Sequence, residues 1–458
     1  MDVNTPLGGS MPIEAAPVLS YDDVLLTSVA ATSTHDYTVA FLGTSDGHVK
    51  KAVVETVTSA FEYSDEKIDS TAVNSNMFLD MNRSFLYAMT EKRVTMMKVQ
   101  SCHVEKTCSD CLGARNPFCG WCSLENRCSL RSDCAEAAQD PLYWLSYKSG
   151  KCTTITSVYP PQIQRTTART LNLMIDNLPN LEGAFYCAFT QFSRTLVTNS
   201  SRSSNGVTCP TPQTDLLPPI TSGHHHFTSK LSVRMKVGPD FVATNFTFYD
   251  CSSYTSCTQC VSSPFPCDWC VGGHRCTHDT GENCRNDILV TGVSNVGPSI
   301  RSGPGFCPRI NITTAFGREI LVPAGSQKRI QVKVENIPQF ISTTKFTCQF
   351  NMEGRMRNVN AQLLGDTVYC ETMKFTTVNP AANISVVFGV IWDGSKPLDN
   401  PENIHGTFSP SASPAVLAAH ASESDPPIRP VISGVQRLLA TLVITSIKSA
   451  CSRRKALE

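Results

Sequence analysis

A chain of 458 residues is long enough for about three domains. Its 39 basic and 39 acidic residues cancel, which excludes a nucleic-acid or anionic-membrane surface as its main business. The unusual count is 21 cysteines, of which all but Cys451 fall into two clusters of eight and two pairs.

The first hundred residues read as hairpins. TVAFLGTSDGHVKKAVVE is a strand, a tight Ser-Asp-Gly turn and a second strand, and FLYAMTEKRVTMMKV is another pair around a polar turn. This is the rhythm of propeller blades or meanders, in an amount too small to close a ring. The start, MDVNTPLGGSMPIEAAP, has neither a basic n-region nor an apolar h-region. The chain therefore reads as one that lacks its secretory entry signal.

The first cluster runs from Cys102 to Cys152 as C-x5-C-x2-C-x7-C-x2-C-x5-C-x5-C-x17-C. Cys187 and Cys209 follow as a pair enclosing 21 residues. The second cluster, from Cys251 to Cys307, reads C-x5-C-x2-C-x6-C-x2-C-x5-C-x7-C-x22-C, and the second pair, Cys348 and Cys370, again encloses 21 residues. Trp121 in CGWC and Trp269 in CDWC precede the fifth cysteine of each cluster, and Asn177-Leu178-Pro179 and Asn336-Ile337-Pro338 precede the pairs. The chain thus contains an internal duplication of a unit about 150 to 160 residues long.

The segments around the pairs are β in pattern. Leu231, Val233, Met235 and Val237 alternate with polar residues, as do Ile330, Val332 and Val334. About seven such strands per unit would suit a β-sandwich with one disulfide across or along the sheets. No sustained helical period occurs.

The tail from Phe408 is rich in Pro, Ser and Ala and reads as disordered. Its apolar run, Val431 to Ile447, contains Gln436 and Arg437, so a membrane helix is a poorer reading than a non-spanning tail.

The cysteines admit two readings. Cys108, Cys111, Cys119 and Cys122 could form a tetrathiolate zinc site, but that leaves four thiols of the cluster unexplained. Disulfide staples suit a module of about 50 residues, whose core alone cannot offset its chain entropy. Trp121 and Trp269 are then the apolar plugs of two knots. Five N-x-S/T sequons, at Asn82, Asn199, Asn245, Asn311 and Asn383, agree with an oxidising, secretory route. Eight cysteines allow about 105 pairings, and spacing alone does not choose among them. Neighbouring rings in His224-His225-His226 alternate sides in an extended chain, so the run is not a metal site. No GxSxG, HExxH or P-loop pattern occurs, and no cofactor is expected.

CSDCLGARNPFCGWCSLENRCSLRSDC resembles the PSI domain shared by plexins, semaphorins and integrins. SVYPPQIQRTTARTLNLMIDNLPNLEGAFYCAFT and VVFGVIWDGSKPLDNPEN are similar to IPT (immunoglobulin-like) domains, and LTSVAATSTHDYTVAFLGTSDGHVKK is similar to the closing blade of a sema propeller. A second PSI after the first IPT distinguishes plexins from semaphorins and from the hepatocyte growth factor receptor family. NTPLGGSMPIEAAPVL and VAFLGTSDGH resemble the B-type plexins most. The resemblance implies an all-β multidomain chain: residues 1–100 the incomplete end of a sema β-propeller, 101–153 a PSI knot, 154–249 an IPT β-sandwich, 250–308 a second PSI, 309–407 a second IPT and 408–458 a low-complexity, non-family tail.

Carried over by position, it implies Cys102–Cys119, Cys108–Cys152, Cys111–Cys128 and Cys122–Cys134 in the first knot. In the second it implies Cys251–Cys267, Cys257–Cys307, Cys260–Cys276 and Cys270–Cys284, and in the sandwiches Cys187–Cys209 and Cys348–Cys370. The implied function is a non-enzymatic stalk of a cell-surface semaphorin receptor, on the extracellular side of the plasma membrane. Semaphorins would bind the parent receptor's full sema domain, and plexin or co-receptor contacts are further expected partners. The chain reads as truncated at both ends. A secreted decoy or modulator, or a zinc-binding scaffold, is the alternative.

Overall fold

The computed structural model describes residues 16–409, except 136, 150, 181–182, 237, 297–298, 312–321, 324, 353, 377–383 and 401–404. Among these residues the chain is almost entirely β, and its helices span three to six residues. It divides into a unit up to Phe306 and a second from Cys307.

The first unit opens with a four-stranded antiparallel sheet of β1 (Leu26–Ser33), β2 (Thr38–Thr44), β3 (His48–Thr56) and β4 (Ser59–Lys67), in that order. The Ser-Asp-Gly turn between β2 and β3 requires glycine. Gly47 has φ +82°, and a Cβ there would lie 2.2 Å from the Asp69 carbonyl oxygen. Strands β5 (Val73–Leu79), β6 (Phe85–Thr90) and β7 (Val94–Lys98) form a second sheet. Phe41, Val49, Val73, Leu86 and Ala88 close the core between the two sheets. The other face of β5–β7 is also apolar: Phe78 pairs with Tyr87 and Tyr87 with Met96, and Phe78, Val94 and Met96 are all more than half exposed.

The first knot follows. Helix α1 (Cys108–Gly113) starts at Thr107, whose hydroxyl accepts the Asp110 N–H, and β8 (Cys119–Cys122) pairs with β9 (Arg127–Leu130) and β10 (Trp144–Ser146). Trp121 and Leu145 are buried among the cysteines. Gly120 lets the Trp144 ring approach, since a Cβ would sit 2.3 Å from it.

A sandwich comes next. One sheet holds β11 (Thr154–Tyr159), β13 (Thr170–Asp176), β17 (Gly206–Pro210) and β16 (Ser201–Ser203). The other holds β12 (Gln162–Gln164), β19 (Asp240–Tyr249), β18 (His226–Met235), β14 (Phe185–Gln191) and β15 (Arg194–Asn199). Alternation puts Leu171, Leu173 and Ile175 of β13 against Phe189, Leu231 and Phe248 of the facing sheet. The second knot repeats the first, with α2 (Cys257–Val261) and β20 (Asp268–Cys270) between β21 (Arg275–Thr277) and β22 (Leu289–Val290) around Trp269, 2% exposed.

The second unit contains a nine-stranded sheet that includes Gln331–Glu335, Phe346–Met352, Arg355–Leu364, Thr367–Cys370 and Ile384–Trp392. Ile330, Val332 and Val334 are buried while Gln331 and Lys333 are exposed. Phe346, Phe350, Phe388 and Val390 are also buried.

Candidate functional site

Within the first unit, the chemically distinctive residues collect where one module meets the next. At the junction of the blade sheets with the first knot, the Tyr147 ring stands 5.4 Å from Tyr37 and 5.8 Å, edge-on, from Phe61. The Arg115 guanidinium lies 3.8 Å above the Phe61 ring, and the Lys148 ammonium 4.9 Å from the Tyr37 ring. Tyr147 Oη donates to Glu55 Oε1 at 3.0 Å, and Lys148 pairs with the same oxygen at 3.5 Å. Burial pushes the Tyr147 phenol well above its ordinary range, helped by its contacts with Tyr37 and Glu55. Phe118 packs against both the blade core and the knot core.

Between the first knot and the sandwich, the contacts are backbone-directed. Tyr143, 2% exposed, donates its phenol to the Asn180 carbonyl. The Asn180 N–H donates to Asp140 Oδ2 at 2.9 Å, and Thr153 Oγ1 to the Asn177 carbonyl at 3.0 Å. The Asn177 amide returns to the Lys151 carbonyl at 3.1 Å. Leu124 of the knot packs on the sandwich core.

Between the sandwich and the second knot, a buried glutamine bonds to two successive residues of the knot. Gln164 donates through Nε2 to Asp250 Oδ1 at 2.9 Å and accepts the Cys251 N–H at 3.0 Å. Asp250 in turn accepts the Ser252 N–H at 3.0 Å, capping the turn that opens the knot. Tyr249 stacks on Phe265 at 4.8 Å, and burial pushes its phenol up to about 12. The rings of the histidine run take separate partners. His225 stacks on Tyr254 at 3.9 Å with Nδ1 2.8 Å from Ser253 Oγ, and His226 sits 5.3 Å from Phe265. Burial lowers the His225 pKa, as do His226 and His224 beside it.

The cysteines lie as follows. Cys102 is bonded to Cys119, Cys108 to Cys152, Cys111 to Cys128 and Cys122 to Cys134, with Cα–Cα distances of 5.3, 6.0, 5.8 and 5.6 Å. In the second knot Cys251 is bonded to Cys267, Cys260 to Cys276 and Cys270 to Cys284, and Cys257 and Cys307 are also disulfide-bonded. Cys187–Cys209 joins β14 to β17 across the sandwich, and Cys348–Cys370 lies in the second unit. Cys251, Cys267 and Cys276 bring their sulfurs within 4.8 Å of one another, but all three are half-cystines rather than the thiolates zinc requires. Cys451 lies outside the described residues.

Of the sequon asparagines, Asn82, Asn199 and Asn245 are exposed, on a turn, on β15 and on β19. Asn311 is half-buried and donates its amide to Glu335 Oε1 at 2.5 Å. Asn383 lies outside the described residues, as does the apolar run 431–447. Among the described residues no helix is long and apolar enough to cross a membrane.

The junction residues Tyr147, Arg115, Tyr143 and Gln164 carry no periodic signal and escape sequence reasoning.

Comparison with known proteins matches the same segments. Family models match residues 3–78 (Sema domain), 101–153 (plexin repeat), 159–249 (TIG domain), 257–284 (plexin A/B PSI domain) and 318–407 (TIG domain found in plexin). The chain is 32% identical to plexin A3 of Danio rerio over 413 residues, 31% to plexin-A2 of Homo sapiens over 412 and 30% to plexin-B3 of Rattus norvegicus over 423, in each case over 88% of its length. It spans about a fifth of those relatives, 21%, 21% and 22%. A solved structure of the full extracellular region of plexin A4, domains 1 to 8, matches with a TM-score of 0.70 at 28% identity, over 89% of this chain and 40% of that one. Sema end, PSI and TIG modules, two of them twice over, make this chain a member of the plexin family.

Proposed function

We propose that this chain is a stalk segment of a semaphorin receptor, acting without catalysis as a spacer that fixes the orientation of its modules. The observation that carries this reading is that each junction in the first unit is bonded by directional, buried or half-buried contacts, with Gln164 spanning sandwich and knot. A flexible tether would need none of these. The open apolar face of β5–β7 supports reading the two N-terminal sheets as blades of a larger sema domain, where a neighbouring blade would cover Phe78 and Met96. Semaphorins would be bound by that domain in a longer protein, and plexin or co-receptor contacts belong to the same proposal. The module limits proposed are 1–100, 101–153, 154–249, 250–308, 309–407 and 408–458. Cys257–Cys307 completes the second knot, and glycans occupy the sequons. The disulfides and exposed sequon asparagines support the extracellular side of the plasma membrane as the location.

The test is limited proteolysis of the secreted, oxidised chain. A spacer resists cleavage at residues 160–165 and 247–256, where the first unit's sandwich meets its second knot. Rapid cleavage there would overturn the spacer role.

A further inference from the structure

A hollow of about 280 Å³ opens in the first sandwich, between the inner face of β14, β15 and β18 and the loop of residues 211–218. Its walls are apolar, chiefly Phe189, Leu196, Leu216, Leu217 and Phe227. Leu196 belongs to β15, the outermost strand of the five-stranded sheet, so the hollow reaches the sheet's edge. Four observations converge there. Among the described strands β15 pairs with β14 alone, and an open edge is a template for another strand. Gln191 Oε1, in the wall, is buried with no hydrogen-bond partner among the described residues. Arg194, at the rim, is exposed and pairs with no carboxylate among the described residues. Phe192, at the tip of the β14–β15 turn, is 95% exposed at φ +51°, a conformation that bulky residues rarely adopt.

We propose that this edge and hollow bind an extended peptide segment of a partner protein by strand addition. The peptide backbone pairs with β15, one of its aromatic or branched aliphatic side chains enters the hollow, and a donor from it satisfies Gln191 Oε1. A carboxylate on the peptide meets Arg194, and Phe192 folds over the anchor. Charge complementarity favours a foreign peptide over a second copy, because the β15 sequence RTLVTN brings no carboxylate to Arg194.

The test pans the full secreted chain against a displayed library of random twelve-residue peptides, with Leu196→Glu as the counter-selection. The expected winners alternate apolar and polar residues and carry an Asp or Glu. A synthetic consensus peptide should bind Leu196→Glu at least tenfold more weakly than wild type, and Arg194→Glu about fivefold more weakly. Proline placed beside the peptide's anchor should abolish binding. Phe192→Gly, which relieves the strained turn and so keeps the fold, should also weaken binding about fivefold. The proposal is overturned if the pools from wild type and Leu196→Glu do not differ, or if winners bind Phe192→Gly and Arg194→Glu as tightly as wild type. Concentration-dependent dimers that Leu196→Glu dissolves would overturn it in favour of a second copy.

Discussion

Gln164 and Asp250 lie 86 residues apart in the chain and share a hydrogen bond of 2.9 Å. The same carboxamide accepts the N–H of Cys251, so a strand of the sandwich holds the first cysteine of the second knot. Gln164 is 4% exposed, and removing its head group leaves the buried Cys251 N–H without its acceptor. Gln164→Ala should therefore destabilise the first unit by about 1–3 kcal/mol. Gln164→Glu should cost more, since it faces Asp250 with a like charge. Calorimetric unfolding of the full chain is the measurement. An unmoved transition in both variants would mean that the knot holds itself.

At the other end of that unit the coupling is aromatic. Arg115 over Phe61 is worth about 0.5–2 kcal/mol as a cation–π contact, depending on how far water is excluded. A double-mutant cycle of Arg115→Met and Phe61→Leu isolates it. The expected coupling energy lies in that range, and additive single effects would remove the guanidinium from the account. Tyr147→Phe should cost a further ~1 kcal/mol through the lost bond to Glu55.

These junction residues show where sequence reading stopped. Repetition is visible in a single chain, so the duplicated cysteine spacing and the alternation of Ile330, Val332 and Val334 exposed the all-β architecture and its twofold unit plan. Hairpins were visible for the same reason, because a Ser-Asp-Gly turn between apolar runs has a local cause. Tyr147 and Gln164 have no local cause. Each is defined by a partner far along the chain, Glu55 or Asp250, and one sequence holds no trace of that pairing. The apolar outer face of β5–β7 was hidden differently. Phe78, Tyr87 and Met96 alternate out of phase with the core residues, so a sheet apolar on both faces loses the period that identifies its inner side.

Asp69 makes the blade sheets sensitive to acid. Its carboxylate accepts Thr90 Oγ1 at 2.5 Å, the Ser70 N–H at 2.7 Å and Thr71 Oγ1 at 3.2 Å, with Arg93 at 3.7 Å. These bonds, that of Thr90 first, lower its pKa from 3.8 to about 2. A carboxyl more acidic when folded contributes stability in full above its unfolded pKa and loses it as pH falls toward the folded value. Urea midpoints should therefore drop between pH 4 and pH 2 in wild type, and the drop should be shallower in Asp69→Asn, which is less stable at pH 6. Parallel curves would assign the acid sensitivity to another carboxylate.

The staples of the first knot differ in how much chain they close. Cys108–Cys152 spans 44 residues and Cys122–Cys134 spans 12. By loop-closure entropy alone the longer is worth about 4 kcal/mol and the shorter about 3. Nesting reduces both, because each loop is already shortened by its neighbours, but the order should survive. Paired alanine variants of the full chain, compared by denaturant unfolding without reductant, measure it. The Cys108/Cys152 variant should also loosen the junction beyond it, since Cys152 directly precedes Thr153, which bonds the Asn177 turn of the sandwich. Protease sensitivity near Asn177 that rises in this variant and not in Cys122→Ala/Cys134→Ala would establish that the staple works across the seam. Equal sensitivity in both would confine its effect to the knot.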